Sequence, residues 1–170
     1  MTSNHRRDID KEFEQLFADH QTAILNYLYR MVGDPSKAEE LTQDAFVKAY
    51  RAMPRLPDDA NVRAWLYRIA TNTAYDYLRR KRLIRWLPLL EDRAATPERS
   101  NPASTMGDRE AVQQGLDQLA PDYRAPLVLF SVQGYSVREI ADMLGISEGA
   151  VKTRLCRARA KFREVLGENE

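Results

Sequence analysis

One cysteine, two histidines and seven glycines among 170 residues exclude several kinds of protein at once. A lone Cys156 permits neither a disulfide framework nor a multi-cysteine metal site. His5 and His20 are too few and too isolated to assemble a metal centre, so no cofactor or metal is expected. No apolar run approaches the ~20 residues needed to cross a bilayer. The segment Met1 to Asp8 carries charges with no apolar stretch behind them, unlike a secretory signal. These absences point to a protein of a reducing compartment, the cytoplasm. An excess of charge of one sign is missing too: 26 basic residues face 25 acidic ones, for a net charge of +1. Net charge therefore argues nothing about nucleic acid.

Hydrophobic residues make up 44% of the chain, enough for a packed core and against wholesale disorder. Few glycines and long stretches rich in Ala, Leu, Arg, Glu and Gln favour helix over sheet. The distribution of charge says more than its sum. Residues 79–85 hold Arg79, Arg80, Lys81, Arg82 and Arg85 without an acid. Lys152, Arg154, Arg157, Arg159, Lys161 and Arg163 form a second acid-free basic stretch. Such runs are either solvated helix faces or surfaces for a polyanion.

Phe13, Leu16, Phe17, His20, Ile24, Tyr27, Leu28 and Met31 recur at helical spacing, predicting an amphipathic helix over 10–32 that Gly33 stops. That spacing makes His20 an interior histidine rather than a ligand. Asp34-Pro35 reads as the N-cap and first residue of a second helix, burying Ala38, Leu41, Ala45, Ala49 and Met53. Pro54 and Pro57 end it. A third helix over 62–82 turns Val62, Trp65, Leu66, Ile69 and Thr73 inward. Residues 83–106, interrupted by Pro88, Pro97 and Pro102, lose all periodicity and read as a flexible linker. Helical patterning resumes with Val112, Leu116 and Leu119; a further helix over 122–132 should be disturbed by Pro126. Ser136-Val-Arg-Glu139 is a capping box, Gly145-Ile146 a turn, and Ser147 the cap of a last helix reaching about Leu166. The fold class is all-α: two small helical domains, 1–82 and 107–170, joined by a flexible linker and expected to move independently.

Residues 136–166 have the form of a helix-turn-helix, with Ala141, Gly145 and Val151 as the small residue, turn glycine and apolar anchor that a close helix crossing needs. Val151, Leu155, Ala158 and Phe162 make one apolar stripe on the last helix. Gly149, Lys152, Thr153, Cys156 and Ala160 fall opposite, and Ser147 and Arg157 flank that side. Small, polar and basic groups near a helix N-terminus suit entry into the major groove of duplex DNA. On the third helix, Tyr67, Arg68, Thr71, Asn72, Tyr75, Arg79 and Arg82 share an outer side. Aromatic faces beside bases stack on unpaired nucleotides while arginines track phosphates; equally, the tyrosines could pack on a neighbouring loop. The second helix presents Glu40, Gln43, Asp44, Val47, Lys48 and Arg51 outward, a face with one apolar residue amid charges. Acid pairs such as Glu39-Glu40 and Asp58-Asp59 have no nucleophile or base beside them, so no catalytic residue is expected.

The stretches from Leu41 to Ala52 (LTQDAFVKAYRA), Ala64 to Ala74 (AWLYRIATNTA) and Tyr135 to Leu155 (YSVREIADMLGISEGAVKTRL) resemble extracytoplasmic-function (ECF) sigma factors of bacterial RNA polymerase, in matching order across about 155 residues. The resemblance implies that Gln43, Asp44, Val47 and Lys48 grip the clamp of core RNA polymerase. It implies that Trp65, Tyr67, Arg68, Asn72 and Tyr75, with the loop 55–61, open and read the minus-ten promoter element. Ser147, Gly149, Lys152, Thr153 and Arg157 of the last helix would read the minus-35 element, and the linker would thread near the RNA exit path. Ala150 stands where the family often has Thr, so the base read there is not inherited. Promoter DNA and an anti-sigma factor are the further partners the resemblance implies. With nothing after the last helix, an appended regulatory domain is not expected. The competing reading is a stand-alone regulator binding duplex operator DNA, which would have no use for a single-strand stacking face.

Overall fold

The protein is described from a computed structural model, which covers residues 2–86 and 107–167, with side chains over 6–84 and 107–167. Every regular element among the described residues is helical. The first unit contains α1 (Thr2–Val32), α2 (Pro35–Ala52), a 3-10 turn (Met53–Arg55) and α3 (Val62–Trp86). The helix starts and stops follow from local chemistry. Gly33 takes φ +74° and its amide bonds the Tyr29 carbonyl, closing α1. Asp34 Oδ1 accepts from the Ser36 and Lys37 amides at 2.9 and 3.3 Å, with Pro35 at the first helical position. Asn61 Oδ1 accepts from the Ala64 amide at 3.0 Å and starts α3. The α1 residues Ile24, Tyr27, Leu28 and Met31 are fully buried against Ala38, Ala45 and Ala49 of α2 and Leu66, Ala70 and Ala74 of α3. The alanines let the helix axes approach closely.

The helix α3 runs to Trp86, four residues into the segment 83–106 expected as linker; the remainder of that segment lies outside the described residues. Met53, expected in the core of α2, sits half-buried at the start of the 3-10 turn because Pro54 follows it. Val62, Trp65 and Ile69 are half-buried rather than interior.

The second unit contains α4 (Gly107–Asp117), α5 (Pro121–Leu127), α6 (Val137–Leu144) and α7 (Glu148–Leu166). Pro126 does not break α5. It is fully buried in the last turn, and the helix then widens into a π-turn over Val128–Val132, closed by the Gln133 amide on the Val128 carbonyl. Proline removes one amide donor and crowds the preceding turn, and the widened turn carries the chain round to α6. There the capping box forms as expected: the Glu139 amide donates to Ser136 Oγ, and the Ser136 amide to Glu139 Oε2 at 2.8 Å. Gly145, at φ +66°, ends α6 in the left-handed region. Ser147 Oγ accepts from the Ala150 amide and starts α7, whose Val151, Leu155 and Ala158 are buried. At Gly115 an added Cβ would lie 2.5 Å from the Phe162 ring, so glycine is what lets α4 lie against α7.

The units pack on each other rather than standing apart. The carbonyls at the C-terminus of α1 are met from the second unit: Gln113 Nε2 donates to the Arg30 carbonyl at 3.2 Å, and Arg124 Nη1 donates to that of Met31. Arg124 Nη2 also donates to the carbonyls of Leu119 at 2.8 Å and Asp117 at 3.3 Å, where α4 ends. One buried guanidinium thus caps two helix C-termini, where the macrodipoles place negative charge. Burial lowers its pKa and the nearby Asp117 opposes that shift.

Arg124→Ala is expected to strand these carbonyls at a cost of about 3 kcal/mol, roughly 10 °C in Tm, with Arg124→Lys recovering part of the loss. Gly115→Ala should cost ~1–3 kcal/mol through overpacking, relieved by Phe162→Leu. Thermal melts followed by circular dichroism measure both.

Candidate nucleic-acid interface

The first turns of α7 are built as an open edge. Ser147, Gly149, Lys152, Thr153, Cys156 and Arg157 are all exposed, because the Val151–Leu155–Ala158 stripe holds the opposite side against α5 and α6. Thr153 Oγ1 donates to the Gly149 carbonyl at 3.0 Å, and both residues are exposed. Arg157 Nη1 lies 3.5 Å from the Tyr123 hydroxyl. With Ala120, Asp122, Ala150, Thr153 and Arg154 these two line an open cleft of about 370 Å³. Tyr123 and Asp122 come from α5, which places them on this edge through tertiary packing that helical spacing cannot show. A helix N-terminus with small, hydroxyl and basic side chains can approach a groove and donate to base edges and phosphates. Asp122 limits how much of the cleft a phosphate can enter.

The outer side read for α3 divides in two. Arg68, Asn72, Arg79 and Arg82 are exposed, Tyr75 and Trp65 are half-buried, and Tyr67 and Thr71 are buried. Tyr67 has no exposed surface. It is therefore not an outward stacking platform in this arrangement. Three helices pack along α3: α1 and α2 of its own unit and α6 of the second. Helical spacing identifies residues that share a side; it does not say how many sides are covered.

The contacts on Tyr67 join the two units. Its ring packs between Tyr27, at 5.4 Å between centroids, and Tyr135, at 5.3 Å. Its hydroxyl donates to Gln133 Oε1 and accepts from the Tyr135 hydroxyl at 3.2 Å, while Gln133 Nε2 donates to the Ala23 carbonyl of α1 at 2.8 Å. Thr71 bonds the Tyr27 hydroxyl at 2.7 Å. Burial raises the pKa of the Tyr27, Tyr67 and Tyr75 phenols, so all three stay protonated. Around this core, Arg68 Nη2 donates to the Asp142 carbonyl at 2.7 Å, and Arg63 pairs with Glu139 at 2.9 Å while lying over the Tyr135 ring. The hydrogen bond from the Ser136 capping amide holds the Glu139 carboxyl below its usual pKa, with Arg63 adding to the shift. His20, half-buried rather than interior, has its pKa lowered mainly by burial, with Arg63 adding to the shift and Asp19 opposing it.

On α2, Gln43, Asp44, Val47 and Lys48 are all exposed on one side, with Val47 48% accessible. Lys48 Nζ reaches Thr73 Oγ1 on α3 at 3.1 Å, which steadies one edge of the face. Next to it stands an aromatic cluster of Phe13 and Phe17, expected on the apolar face of α1, with Phe46 and Tyr50 of α2, at centroid separations of 4.9–6.4 Å. Phe17 and Tyr50 are partly exposed there.

Residues 16–84 match the family described as Sigma-70 region 2, and residues 109–162 the family described as Sigma-70, region 4. Over 162 residues the chain is 38% identical to the RNA polymerase sigma factor CarQ of Myxococcus xanthus, spanning 93% of this chain and 91% of that protein. It is 38% identical over 156 residues to the ECF RNA polymerase sigma factor SigM of Mycobacterium tuberculosis, spanning 91% of this chain and 77% of that one. The solved structure of the sigma factor RpoE of Bartonella quintana, in complex with the anti-sigma factor NepR, superposes with a TM-score of 0.72 at 25% identity, over 94% of this chain and 99% of that one.

Tyr67→Phe keeps both ring contacts and deletes the hydroxyl, leaving Gln133 Oε1 without its donor. A loss of ~1–3 kcal/mol is expected, measured by urea denaturation.

Proposed function

The chain belongs to the extracytoplasmic-function family of RNA polymerase sigma factors, and we propose how its surfaces divide that family's work. As a sigma factor it binds core polymerase and directs it to promoter DNA. One observation carries the reading: both sigma regions occur in order within one chain that aligns over 93% of its length with a sigma factor. A stand-alone operator binder would need only the helix-turn-helix.

In the proposed division, residues 1–82 hold the polymerase and the minus-ten element, and residues 107–170 hold the minus-35 element. The α2 face of Gln43, Asp44, Val47 and Lys48 docks on the polymerase clamp; its support is their common exposure and an apolar residue ringed by polar ones. Ser147, Gly149, Lys152, Thr153 and Arg157 meet duplex DNA, supported by the open first turns of α7. Trp65, Arg68, Asn72 and Tyr75, joined by Tyr67 once α3 is uncovered, capture unpaired bases of the minus-ten strand. Tyr123, which touches Arg157, joins the duplex edge.

An anti-sigma factor is a proposed partner, because the superposed Bartonella protein is bound to one. The role proposed is non-enzymatic, one of binding and positioning. No described helix is long and apolar enough to cross a membrane; work beside polymerase in the cytoplasm is the setting proposed.

Val47→Glu should abolish pull-down of core polymerase with helicity unchanged; retained binding would remove α2 from the clamp. Asn72→Ala should spare closed-complex formation and impair strand opening in permanganate footprinting, with rescue on a pre-melted bubble. Arg157→Ala should weaken binding to upstream duplex. A base contact would cost ~1–3 kcal/mol at one position, a phosphate contact a uniform loss with a flatter salt slope.

A further inference from the structure

We propose that α5, which lies outside the helix-turn-helix, sets the base preference of the duplex edge: Tyr123 is a positioning residue that holds the Arg157 guanidinium across the cleft, and Asp122 is a specificity-determining carboxylate that keeps phosphate out of it. The inference rests on the reading of α7 as the surface that meets duplex DNA. Arg157 is exposed on α7, where an unrestrained arginine would clamp a phosphate as readily as it would read a base. Its Nη1 instead donates to the Tyr123 hydroxyl at 3.5 Å, from 34 residues away in the chain. Tyr123 is a firm support: it is half-buried against the core, and its amide donates to the Ala120 carbonyl at 2.9 Å. A stiff phenol thus holds one corner of a long, flexible side chain. Ordering that side chain before DNA arrives lowers the cost of binding. Engaging Nη1 leaves Nε and Nη2, paired donors that match the adjacent acceptors O6 and N7 of guanine in the major groove.

Asp122 supplies the opposite influence. It is exposed in the first turn of α5 and lines the same cleft as Thr153, Arg154 and Arg157. None of the ion pairs among the described residues engages it, so its charge faces whatever enters the cleft. Asp122 and the half-buried Arg154 both lie near the Tyr75 phenol, whose pKa is raised first by burial, then by the carboxylate, and lowered by the guanidinium. An acid in a first turn suits the helix dipole wherever it occurs, yet this one also stands among the cations that would meet a polyanion. A carboxylate there repels phosphate oxygens and tolerates base edges, which carry no net charge; repulsion of this kind separates wrong contacts from right ones. Phosphate contacts hold a protein on DNA without reading sequence. Excluding them from this cleft leaves Arg157 to the bases.

The test reconstitutes the full-length protein with core polymerase and offers a pool of random-sequence duplexes, with core polymerase alone as background. Sequencing the bound fraction gives the preference at every position, and titrations of the preferred duplex across salt concentrations give the salt slope. Four variants are compared with the wild type: Arg157→Ala; Tyr123→Phe, which keeps the ring and removes the hydroxyl; the two combined; and Asp122→Asn, which keeps the shape and removes the charge. Circular dichroism melts record changes in stability separately. Tyr123→Phe is expected to relax, by about fivefold, the same position that Arg157→Ala relaxes, and to add nothing in the double variant. Asp122→Asn is expected to bind all sequences more tightly, to steepen the salt slope by about one phosphate contact, and to flatten the preference at that position. Unchanged preference in Tyr123→Phe, losses that add in the double variant, or an unchanged slope and preference in Asp122→Asn overturns the inference. A lower melting temperature with base preference intact overturns it too, since a purely structural role would give that result. Arg157→Ala tests the underlying reading by itself. A uniform loss of affinity with no position relaxed removes the inference and leaves α7 on the duplex, whereas unchanged affinity and preference removes both.

Discussion

Helix α1 ends with carbonyls that no residue inside the helix can satisfy, and so does α4; the two ends meet at the guanidinium of Arg124. Only a planar fork with donors in several directions serves both at once, and an ammonium could not copy its spread. Because α1 also carries the packing of α2 and α3, Arg124 fixes where the second unit lies relative to the whole first unit. Gln113 makes the same kind of contact one carbonyl earlier and is steadied by Asp117 Oδ1 at 3.0 Å. The units are joined through helix ends because those ends present polar groups whose burial is costly unless a partner arrives.

That constraint explains which features were legible in the amino-acid sequence. Asp34-Pro35, the Ser136–Glu139 box, Gly145 and the cap at Ser147 act within a few residues of themselves, and the structure places them as their local chemistry demands. The α7 stripe was legible for the same reason: Val151, Leu155 and Ala158 share one side at helical spacing whatever they pack against. Tyr67 was not. Its burial is set by Gln133 and Tyr135, 66 and 68 residues away, and a tyrosine beside arginines has the same pattern whether it awaits a base or another tyrosine. Arg124 did leave a signal, a cation at the head of the run Ala125-Pro-Leu-Val-Leu, where a charge has no reason to sit unless it is paired inside. Gly115 left none, since the ring that excludes a Cβ there comes from Phe162.

The candidate surfaces divide along the same line. Exposed positions on α2 and α7 lie on sides their own helices turn to solvent, so periodicity located them. On α3 the side that spacing turns outward is shared between solvent and the second unit, and a single helix cannot report that. The π-turn at Val128–Val132 contributes here: without its wider arc, Gln133 and Tyr135 would leave the chain at other angles. Irregular turns of this kind recur where a helix must re-aim side chains, and this one aims two of them at Tyr67.

The two joints between the units differ in kind, and the difference bears on how they respond to partners. At Arg124 a buried cation meets carbonyls with almost no access to water, so breaking that joint leaves charge and dipoles to be rehydrated together. At Arg63–Glu139 and Arg68–Asp142 the groups are already partly hydrated, and breaking them mostly exchanges one set of hydrogen bonds for another. Parting is therefore graded: the α3–α6 seam can loosen while Arg124 still holds α1, whereas full separation must break both. Any partner that separated the units would have to supply the larger cost through its own differential affinity. Substitutions at the seam would then set how readily α3 is uncovered, and substitutions at Arg124 would set whether the free chain keeps a defined arrangement at all.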